Sequence, residues 1–396
     1  MEVIILAGGL GTRLRSAVGE IPKCLAPIQD APFLGYLLQW LGQYPVEHVV
    51  FSVGHLREQV ISYAQGRDWP FSYDFAVETS PLGTGGGVRL ALGYCKEEQV
   101  FVINGDTFFP LNLNAMPFDA PVTLALKPMR DFERYGAVET AGRDGHLQVT
   151  AFHEKRPCAA GLINGGVYAI DRRRLDLSAL PEKFSFEKDV LEPAAAKGRV
   201  GGWISDAYFI DIGIPEDYAL SQWAIPAWFA VQKASKAVLS ARADTLFLDR
   251  DGVVNRLLPG DYVKSWEQWE WMPGIRTELA GWARKFRRIV LVTNQRGVGK
   301  GLMSDAQLDA IHRRMQAEIA AAGGRLDAIF CCTALRDDDP RRKPQPGLFF
   351  EAQAQFPDID KTRSVMLGDS PSDAAFARNC GMQFIPLLPE GASWDS

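Results

Sequence analysis

Several features that would mark a specialised class of protein are missing from this sequence. Its six cysteines follow no regular spacing, so no disulfide framework is expected and the thiols are typical of a reducing compartment. No apolar run reaches the ~20 residues that a membrane-spanning helix needs. The net charge of -5 is mildly acidic, which argues against a nucleic-acid-binding protein. Because the chain starts directly with an apolar strand, we expect no signal peptide, no membrane association and a cytoplasmic location.

The length of 396 residues indicates two or three domains rather than one. A polar stretch of small residues, KASKAVLSARAD, follows a segment that Pro226 should break or kink. We therefore predict a first domain over 1–227, a linker over 228–243 and a second domain over 244–396. The sequence contains no internal repeat, and it is compatible with a monomer or an oligomer.

The start of the chain has the pattern of a phosphate-binding turn. An apolar strand ending at Leu6 runs into a glycine-rich segment with basic residues behind it. Glycines let backbone N–H groups approach a phosphate chain, and arginine and lysine supply positive charge. A tight strand-to-helix turn is the alternative interpretation. The candidate residues of this segment are Leu6, Gly8, Gly9, Gly11, Thr12, Arg13 and Lys23.

Apolar strands alternate with helical patterns through the first domain. Runs at 48–53, 100–104 and 122–126 read as buried strands, and 33–41 and 87–94 read as helices. This alternation is typical of an α/β fold with a mainly parallel sheet, whose ligands lie beyond the carboxyl ends of the strands. The acid that follows the strand 100–104, Asp106, either caps a turn or holds Mg²⁺ beside a triphosphate.

The segment LAGGLGTRLR, followed by Pro22-Lys23, resembles the sugar-1-phosphate nucleotidyltransferases. That family implies a Rossmann-like mixed-sheet domain that joins a nucleoside triphosphate to a sugar 1-phosphate and releases pyrophosphate. PLGTGGG resembles the segment that packs on the nucleobase and ribose, and DIGIP resembles a metal-binding segment, with Ile214 where threonine is common. The resemblance implies nucleotide contacts at Gly83, Thr84 and Gly85, and Mg²⁺ ligands at Asp106 and Asp211.

The same resemblance extends to the sugar side of the site. HEKRP resembles a sugar-phosphate motif, although Arg156 stands before the proline, and NGGVY matches a sugar-reading motif. Glu187 is either a further contact to the sugar or part of a charged surface turn. The implied sugar-phosphate-binding residues are Glu154, Lys155, Asn164, Gly166 and Glu187.

In the second domain, an apolar strand ends in two acids that are two positions apart, Asp249 and Asp251. Side chains at i and i+2 share one face of a strand, so both carboxylates are presented together. One carboxylate can attack phosphorus while the other protonates the leaving oxygen. Further polar positions follow two later strands or precede a proline: Thr293, Asn294, Lys343, Asp369 and Asp373.

This set resembles the haloacid dehalogenase-like phosphatases, which implies a Rossmannoid α/β domain. Carried over, Asp249 is the nucleophile, Asp251 the acid and base, and Lys343 the neutralising cation. Thr293, Asn294 and Arg342 would bind the substrate phosphate, and Mg²⁺ would be held by Asp249, Asp251 and Asp369. The loop 331–342 has no histidine and no C-x-C pair, so we expect no zinc, since four ligands cannot be assembled there.

Several motifs point to a subgroup of each family. FLDRDGVVN and RKPQPG resemble phosphatases of histidinol phosphate and heptose 1,7-bisphosphate, and INGGVYAID and SFEKD resemble heptose-1-phosphate guanylyltransferases. The expected function is therefore a fused heptose bisphosphate 7-phosphatase and guanylyltransferase that makes GDP-heptose from small-molecule substrates. The alternatives are a mannose- or other hexose-1-phosphate nucleotidyltransferase joined to a different phosphatase, or a sugar-nucleotide sensor without turnover.

Overall fold

The structure is a computed structural model that describes residues 1–9, 11, 13–143 and 146–388. The chain divides into two compact units, Met1–Gln222 and Trp223–Ser396. Among the described residues, no helix combines the length and the apolar character that a bilayer span requires. Each unit is described in turn.

The first unit is built on a mixed sheet of nine strands within the described residues, in the order β5-β4-β1-β6-β11-β8-β12-β10-β9. The strands of this unit are β1 (Glu2–Leu6), β2 (Pro27–Ile28), β3 (Ala31–Pro32), β4 (His48–Val53), β5 (Ser72–Val77), β6 (Gln99–Asn104), β7 (Thr107–Phe108), β8 (Val122–Phe132), β9 (Ala137–Arg143), β10 (His146–Phe152), β11 (Cys158–Asp171), β12 (Val200–Ile204) and β13 (Ile210–Asp211). Its helices are α1 (Arg15–Val18), α2 (Phe33–Leu41), α3 (Arg57–Gln65), α4 (Gly83–Leu92), α5 (Glu192–Ala195) and the start of α6 (Pro215–Ser240), with a π-helical turn at Phe186–Leu191.

The parallel half of this sheet brings the ends of three strands together. Strand β1 pairs in parallel with β4 and with β6, so Leu6 stands level with Ser52 on one side and Asn104 on the other. Val3, Ile4 and Ile5 are fully buried, which is why β1 is apolar at consecutive positions rather than at alternate ones. The prediction of a mainly parallel sheet holds for β5-β4-β1-β6, whereas β11 runs antiparallel to both β6 and β8.

The opposite end of β1 is held by a buried carboxylate. Glu2 accepts hydrogen bonds of 2.7 Å from the backbone N–H groups of Lys96 and Glu97, and it lies 2.9 Å from His48 Nδ1. Burial favours the neutral form of Glu2, but these three donors outweigh it and hold the pKa of Glu2 below its ordinary value. Glu2 therefore anchors the start of the central strand to the loop before β6.

As far as residue 388, the second unit is built on a parallel sheet of five strands in the order β16-β15-β14-β17-β18. Leu246 and Leu248 of β14 pack into one hydrophobic cluster and Phe247 into another, so the strand is covered on both faces. The strands are β14 (Thr245–Leu248), β15 (Arg288–Asn294), β16 (Ala328–Cys332), β17 (Ser364–Gly368) and β18 (Gln383–Pro386). The helices are α7 (Ile275–Lys285), α8 (Arg296–Gly299), α9 (Asp305–Ala321), α10 (Gly347–Gln355) and α11 (Pro371–Cys380).

The region 228–243, predicted as a linker, is helical as far as Ser240 in the structure. Helix α6 continues through Pro226 to Ser240, and the division between the two units falls inside it at Gln222 and Trp223. Val231, Ala234 and Val238 are buried in the core of the second unit. Their spacing of three and four residues is that of one helix face. The small, polar composition of this stretch concealed that face in the sequence.

Candidate active sites

A cavity of about 440 Å³ in the first unit lies where β1, β4 and β6 end. Its walls combine the glycine-rich turn with the start of α4 and the acid after β6. Of the predicted nucleotide-site residues, the cavity is lined by Leu6, Gly8, Gly9, Gly11, Lys23, Gly83, Thr84 and Asp106. Thr12 lies outside the described residues. The segments predicted to contact the triphosphate, to pack on the nucleobase and ribose, and to hold the metal are therefore brought to one cavity.

Sequence reasoning missed a carboxylate in the wall of this cavity, Glu78. Its Oε2 accepts a 3.0 Å hydrogen bond from the backbone N–H of Leu82. Its Oε1 is only 3.1 Å from where a Cβ on Gly8 would stand and 2.9 Å from one on Gly87. Gly8 and Gly87 thus leave the space that the carboxylate occupies. Burial raises the pKa of Glu78.

Gly85, predicted to contact the nucleotide, is placed differently. It does not line the cavity, and its backbone N–H donates to the carbonyl oxygen of Phe184 at 3.0 Å. A Cβ at Gly85 would collide with the Phe184 ring. The glycine is needed there because α4 packs closely on the segment before the π-helical turn, which the sequence could not reveal.

Two acids and a lysine form a charged cluster at the edge of the same cavity. Lys23 Nζ donates to Asp106 Oδ2 at 3.0 Å. Strands β7 and β13 pair antiparallel, with Asp211 opposite Thr107, and the N–H of Ile212 donates to the carbonyl oxygen of Asp106 at 3.0 Å. Burial and the nearby charge of Asp106 raise the pKa of Asp211 to about 6. The pair of acids predicted from distant sequence positions is therefore adjacent.

A second cavity of about 210 Å³ is lined by Asp211, one acid of this pair. Asn104 lines both cavities, which makes them neighbours. The predicted residues that line the second cavity are Arg13, Lys155, Asn164, Gly166, Glu187 and Asp211. Asn164 is oriented by a 2.9 Å bond to the Tyr168 hydroxyl and a 3.1 Å bond from the N–H of Gly166.

Some positions around this second cavity differ from the prediction. Glu154 is exposed and does not line it. Arg134 and Tyr135 do line it, and the sequence analysis had singled out neither of them. Arg134 is paired with Asp217 at 2.5 Å, on the helix that follows the DIGIP segment. Arg134 and Tyr135 belong to no sequence motif, so only the fold shows that they line this cavity.

In the second unit, three carboxylates and a lysine meet at the carboxyl ends of the parallel strands. Lys343 Nζ donates to Asp249 Oδ1 at 2.7 Å and to Asp373 Oδ1 at 2.6 Å, and all three residues are buried. One carboxylate oxygen from each of Asp249, Asp369 and Asp373 lies within 4.8 Å of the others. Asp249 directly follows β14, Asp369 directly follows β17, and Asp373 lies in the first turn of α11.

The electrostatics of this cluster are those of an incompletely neutralised site. Burial and neighbouring carboxylates raise the pKa of Asp249 to about 7 and that of Asp369 to about 8, although Lys343 opposes both shifts. Three acids share one lysine, so a further cation is needed for all of them to ionise. Carboxylate oxygens are the ligands that Mg²⁺ prefers, and this donor set and the Asp106–Asp211 pair both fit that ion.

Asp251 occupies a different environment from the one predicted for a metal ligand. Its carboxylate accepts hydrogen bonds from Arg250 at 2.9 and 3.0 Å, from Asn255 at 2.9 Å and from Gln295 at 2.6 Å. Burial alone would raise the pKa of Asp251, but these partners hold it below the ordinary value. Within the described residues, Asp373 rather than Asp251 completes the group of carboxylates.

Asn294 and Thr293 also differ from a simple phosphate-binding pair. The Asn294 amide donates to the carbonyl oxygen of Lys343 and accepts from the N–H of Lys343, both at 3.0 Å. It therefore positions the lysine from its backbone. Thr293 is buried, and its hydroxyl accepts from Gln295 at 3.0 Å. Arg342 donates to Asp337 at 3.2 Å rather than pointing at the carboxylate cluster.

Taken together, the sheet, the glycine-lined cavity and the two clusters of acids define an enzyme of phosphorus chemistry with one centre in each unit. A family profile for nucleotidyl transferases matches residues 2–225, more than half of the chain, and the protein belongs to that family. A profile for HAD-hydrolase-like proteins matches residues 340–391 in the second unit. The chain is therefore a nucleotidyltransferase joined to a phosphatase of the haloacid dehalogenase-like class.

Different relatives match each half of the chain. Residues of the first half are 47% identical over 227 positions to D-glycero-alpha-D-manno-heptose 1-phosphate guanylyltransferase of Aneurinibacillus thermoaerophilus, covering 56% of this chain and 97% of that protein. The second half is 44% identical over 138 positions to D-glycero-alpha-D-manno-heptose-1,7-bisphosphate 7-phosphatase of Mycobacterium tuberculosis, covering 34% of this chain and 71% of that protein. The crystal structure of HddC from Yersinia pseudotuberculosis complexed with GMP-PN shares 35% identity, with a TM-score of 0.51, and covers 56% of this chain and 97% of that one.

Proposed function

We propose that the protein carries out two consecutive steps in the synthesis of a nucleotide-activated heptose. The second unit removes the 7-phosphate of D-glycero-D-manno-heptose 1,7-bisphosphate, and the first unit joins the resulting heptose 1-phosphate to GMP from GTP, giving GDP-heptose. The observation that carries the proposal is that relatives of the two halves are named for the same sugar. The product of one named reaction is the substrate of the other.

The alpha anomer is the favoured substrate. The phosphatase half is 44% identical to an enzyme named for the alpha anomer, and 35% and 38% identical to two named for the beta anomer. The guanylyltransferase relative at 47% is also named for the alpha anomer. Both halves therefore point to one configuration at carbon 1.

The position of Glu78 supports guanine as the base. Guanine presents an N–H and an amino group side by side, and an ionised carboxylate offers only acceptors. Glu78 lines the nucleotide cavity with Oε2 already fixed by Leu82. A bound guanine would supply donors to this half-buried carboxylate.

In the nucleotidyl transfer, an oxygen of the sugar 1-phosphate attacks the α-phosphorus and pyrophosphate leaves. The attacking oxygen is already ionised, so the residues act by holding two anions together and offsetting their repulsion. Lys23 lies at the nucleotide cavity, and Arg13 and Lys155 lie at the adjoining one. We assign the triphosphate to the larger cavity and the sugar phosphate to the smaller one.

In the phosphatase reaction, Asp251 takes up a proton from solvent against its lowered pKa. An Asp249 oxygen then bonds to phosphorus, the bond from phosphorus to the C7 oxygen breaks, and Asp251 gives that oxygen the proton. Water then attacks the phosphorus, Asp251 takes a proton from it, and the bond to Asp249 breaks. Lys343 stabilises the charge throughout, and Asn294 keeps Lys343 in place. Magnesium, held by Asp249, Asp369 and Asp373 here and by Asp106 and Asp211 in the other unit, would offset the charge of the phosphate oxygens.

The test is a matrix of substrates with one inactivating variant per half. GTP, ATP, CTP and UTP are each combined with heptose 1-phosphate and mannose 1-phosphate while pyrophosphate is measured, and phosphate release is measured from both heptose bisphosphate anomers and histidinol phosphate. We expect GTP with heptose 1-phosphate, and the alpha bisphosphate, to be the best substrates. A preference for mannose 1-phosphate or for histidinol phosphate would contradict the proposal.

The variants separate the two centres. D106A should abolish pyrophosphate release and leave phosphate release unchanged, and D249N should do the reverse. A fully active D106A enzyme would contradict the assignment of the acid pair. We also expect both activities to depend on Mg²⁺. The proposal further includes small-molecule substrates, with no nucleic acid and no membrane as partners, and the cytoplasmic location expected from the cysteine pattern.

A further inference from the structure

A buried arginine separates the two reacting acids of the phosphatase centre. Arg250 stands between Asp249 and Asp251 in the chain, and its side chain is fully buried. Its Nη2 donates to both oxygens of the Asp251 carboxylate, at 2.9 and 3.0 Å. Asp249, in contrast, accepts from Lys343. The two reacting acids are therefore held by different cations.

The other terminal nitrogen of this guanidinium group contacts a histidine of helix α9. Arg250 Nη1 lies 3.3 Å from His312 Nε2, and the two residues are only 0% and 7% exposed. A guanidinium group can only donate, so Nε2 of His312 accepts and carries no proton. Burial and the charge of Arg250 lower the pKa of His312 to about 4. The imidazole is therefore a neutral acceptor, and the sequence analysis had not singled it out.

The position of His312 is set by the packing of α9. His312 shares a buried face of that helix with Leu308 and Met315, which lie about one turn before and after it. On another side of the guanidinium group, the centre of the Trp269 ring lies 5.9 Å from Arg250 Cζ. The arginine is thus enclosed by a carboxylate, an imidazole and an indole that come from three separate segments.

Stability alone does not account for this arrangement. Within the described residues, Arg250 Nε is buried without a hydrogen-bond partner, and a neutral histidine cannot offset the charge. A buried ion pair can often be replaced by apolar residues of similar volume without loss of stability. What the arrangement does fix is the direction of the Asp251 carboxylate. Each of its oxygens accepts one bond from Arg250 and one from an amide side chain, Asn255 or Gln295.

We propose that His312 and Arg250 are positioning residues of the phosphatase. The histidine holds the guanidinium group, which in turn holds the Asp251 carboxylate at the angle from which it exchanges a proton with the leaving oxygen and the attacking water. Proton transfer needs hydrogen-bond distance, and a misplacement of about 1 Å can cost a hundredfold in rate. The inference rests on the proposed function, because it takes Asp251 as the acid and base of that reaction.

The experiment compares three variants of the full-length protein. H312L removes the acceptor, H312Q keeps a neutral acceptor, and R250K keeps a charge but loses the planar fork. Phosphate release from heptose 1,7-bisphosphate gives kcat and KM, and inorganic phosphate is used as a competing ligand to give Ki. We expect kcat to fall roughly 10- to 100-fold in H312L and R250K, with KM and Ki unchanged. H312Q should keep most of the wild-type kcat.

A matched control separates this contact from the packing of the helix. Met315 lies on the same buried face of α9, and M315A opens a cavity there. M315A should therefore lower Tm but leave kcat of the phosphatase unchanged at temperatures well below the transition. Pyrophosphate release by the first unit should be unchanged in all four variants.

Four results would overturn the inference and identify the pair as core packing only: a wild-type kcat in H312L, an equal loss in H312Q and H312L, a rise in KM instead of a fall in kcat, or a matching loss of kcat in M315A. If H312L does not fold, R250K and H312Q decide, and a wild-type kcat in R250K overturns it.

Failure of the proposed function gives a different result. If the wild-type enzyme hydrolyses only histidinol phosphate, the proposed substrate is wrong, while the same variants test the positioning role on that compound. If it releases phosphate from neither compound, the proposed function fails, and this inference fails with it.

Discussion

Replacing Asn294 with alanine tests whether this side chain positions Lys343 or binds the substrate phosphate. Its amide makes two 3.0 Å hydrogen bonds with the backbone of Lys343. Lys343 Nζ in turn bridges Asp249 and Asp373 at 2.7 and 2.6 Å. Loss of the amide should therefore shift the lysine relative to both carboxylates. The sequence motif had suggested a direct phosphate contact instead.

The expected size of the effect follows from these contacts. Each lost hydrogen bond to a backbone group that is left unpaired costs about 1–2 kcal/mol, so N294A should lose roughly 2–4 kcal/mol of stability. For a unit of this size that lowers Tm by roughly 5–15 °C. A displacement of Lys343 by about 1 Å should reduce kcat of the phosphatase about a hundredfold.

The assay measures kcat and KM for phosphate release together with thermal unfolding by calorimetry. The matched control is N379A, since Asn379 is exposed and donates one 2.9 Å hydrogen bond to the carbonyl oxygen of Pro344. N379A should change Tm and kcat little. If N294A keeps the wild-type Tm and kcat and raises only KM, Asn294 contacts the substrate and the positioning role is refuted.

Three further predictions concern the first unit. The variant E78Q keeps an acceptor for the N–H of Leu82 but replaces the other carboxylate oxygen with a donor. We therefore expect kcat/KM for GTP to fall roughly 10- to 100-fold, with KM for the sugar phosphate unchanged. Unaltered selectivity among nucleotides would show that Glu78 does not recognise the base. The variant G85A should destabilise the unit by about 1–3 kcal/mol, because the added methyl group meets Phe184. Urea unfolding measures this loss against the control G9A, where no atom lies within 4 Å of an added Cβ. Equal stability of the two variants would contradict the packing argument. The lowered pKa of Glu2 adds stability that is present above the ordinary carboxyl pKa of 4.5 and is lost as the pH falls below that value. The difference in unfolding free energy between wild type and E2Q should therefore shrink in acid. A difference that stays constant from pH 7 to pH 3 would show that Glu2 does not titrate in this way.

Local patterns were sufficient for much of the fold and of both sites. The apolar run before Leu6 predicted a buried strand, and the glycine-rich turn behind it predicted a phosphate cavity; both are close in sequence, so their geometry is set by short-range chain stereochemistry. The acids at the strand ends could also be predicted, because each of them closely follows an apolar run in the sequence. Parallel strands place their carboxyl ends at one edge of a sheet, which is how Asp249 and Asp369 meet although they are 120 positions apart, the difference of their residue numbers.

The sequence by itself thus determined the two α/β units and the enzyme class of each, and it singled out many of the residues that line the two cavities or form the carboxylate cluster. Only the tertiary structure decided what each side chain does there. The Asn294 amide bonds to the backbone of Lys343, and Gly85 packs against Phe184. The Asp251 carboxylate accepts hydrogen bonds from three residues, while Asp373 joins the carboxylate cluster. The physical reason is that a polar group takes its role from the partners that burial brings to it, and those partners come from distant strands and loops.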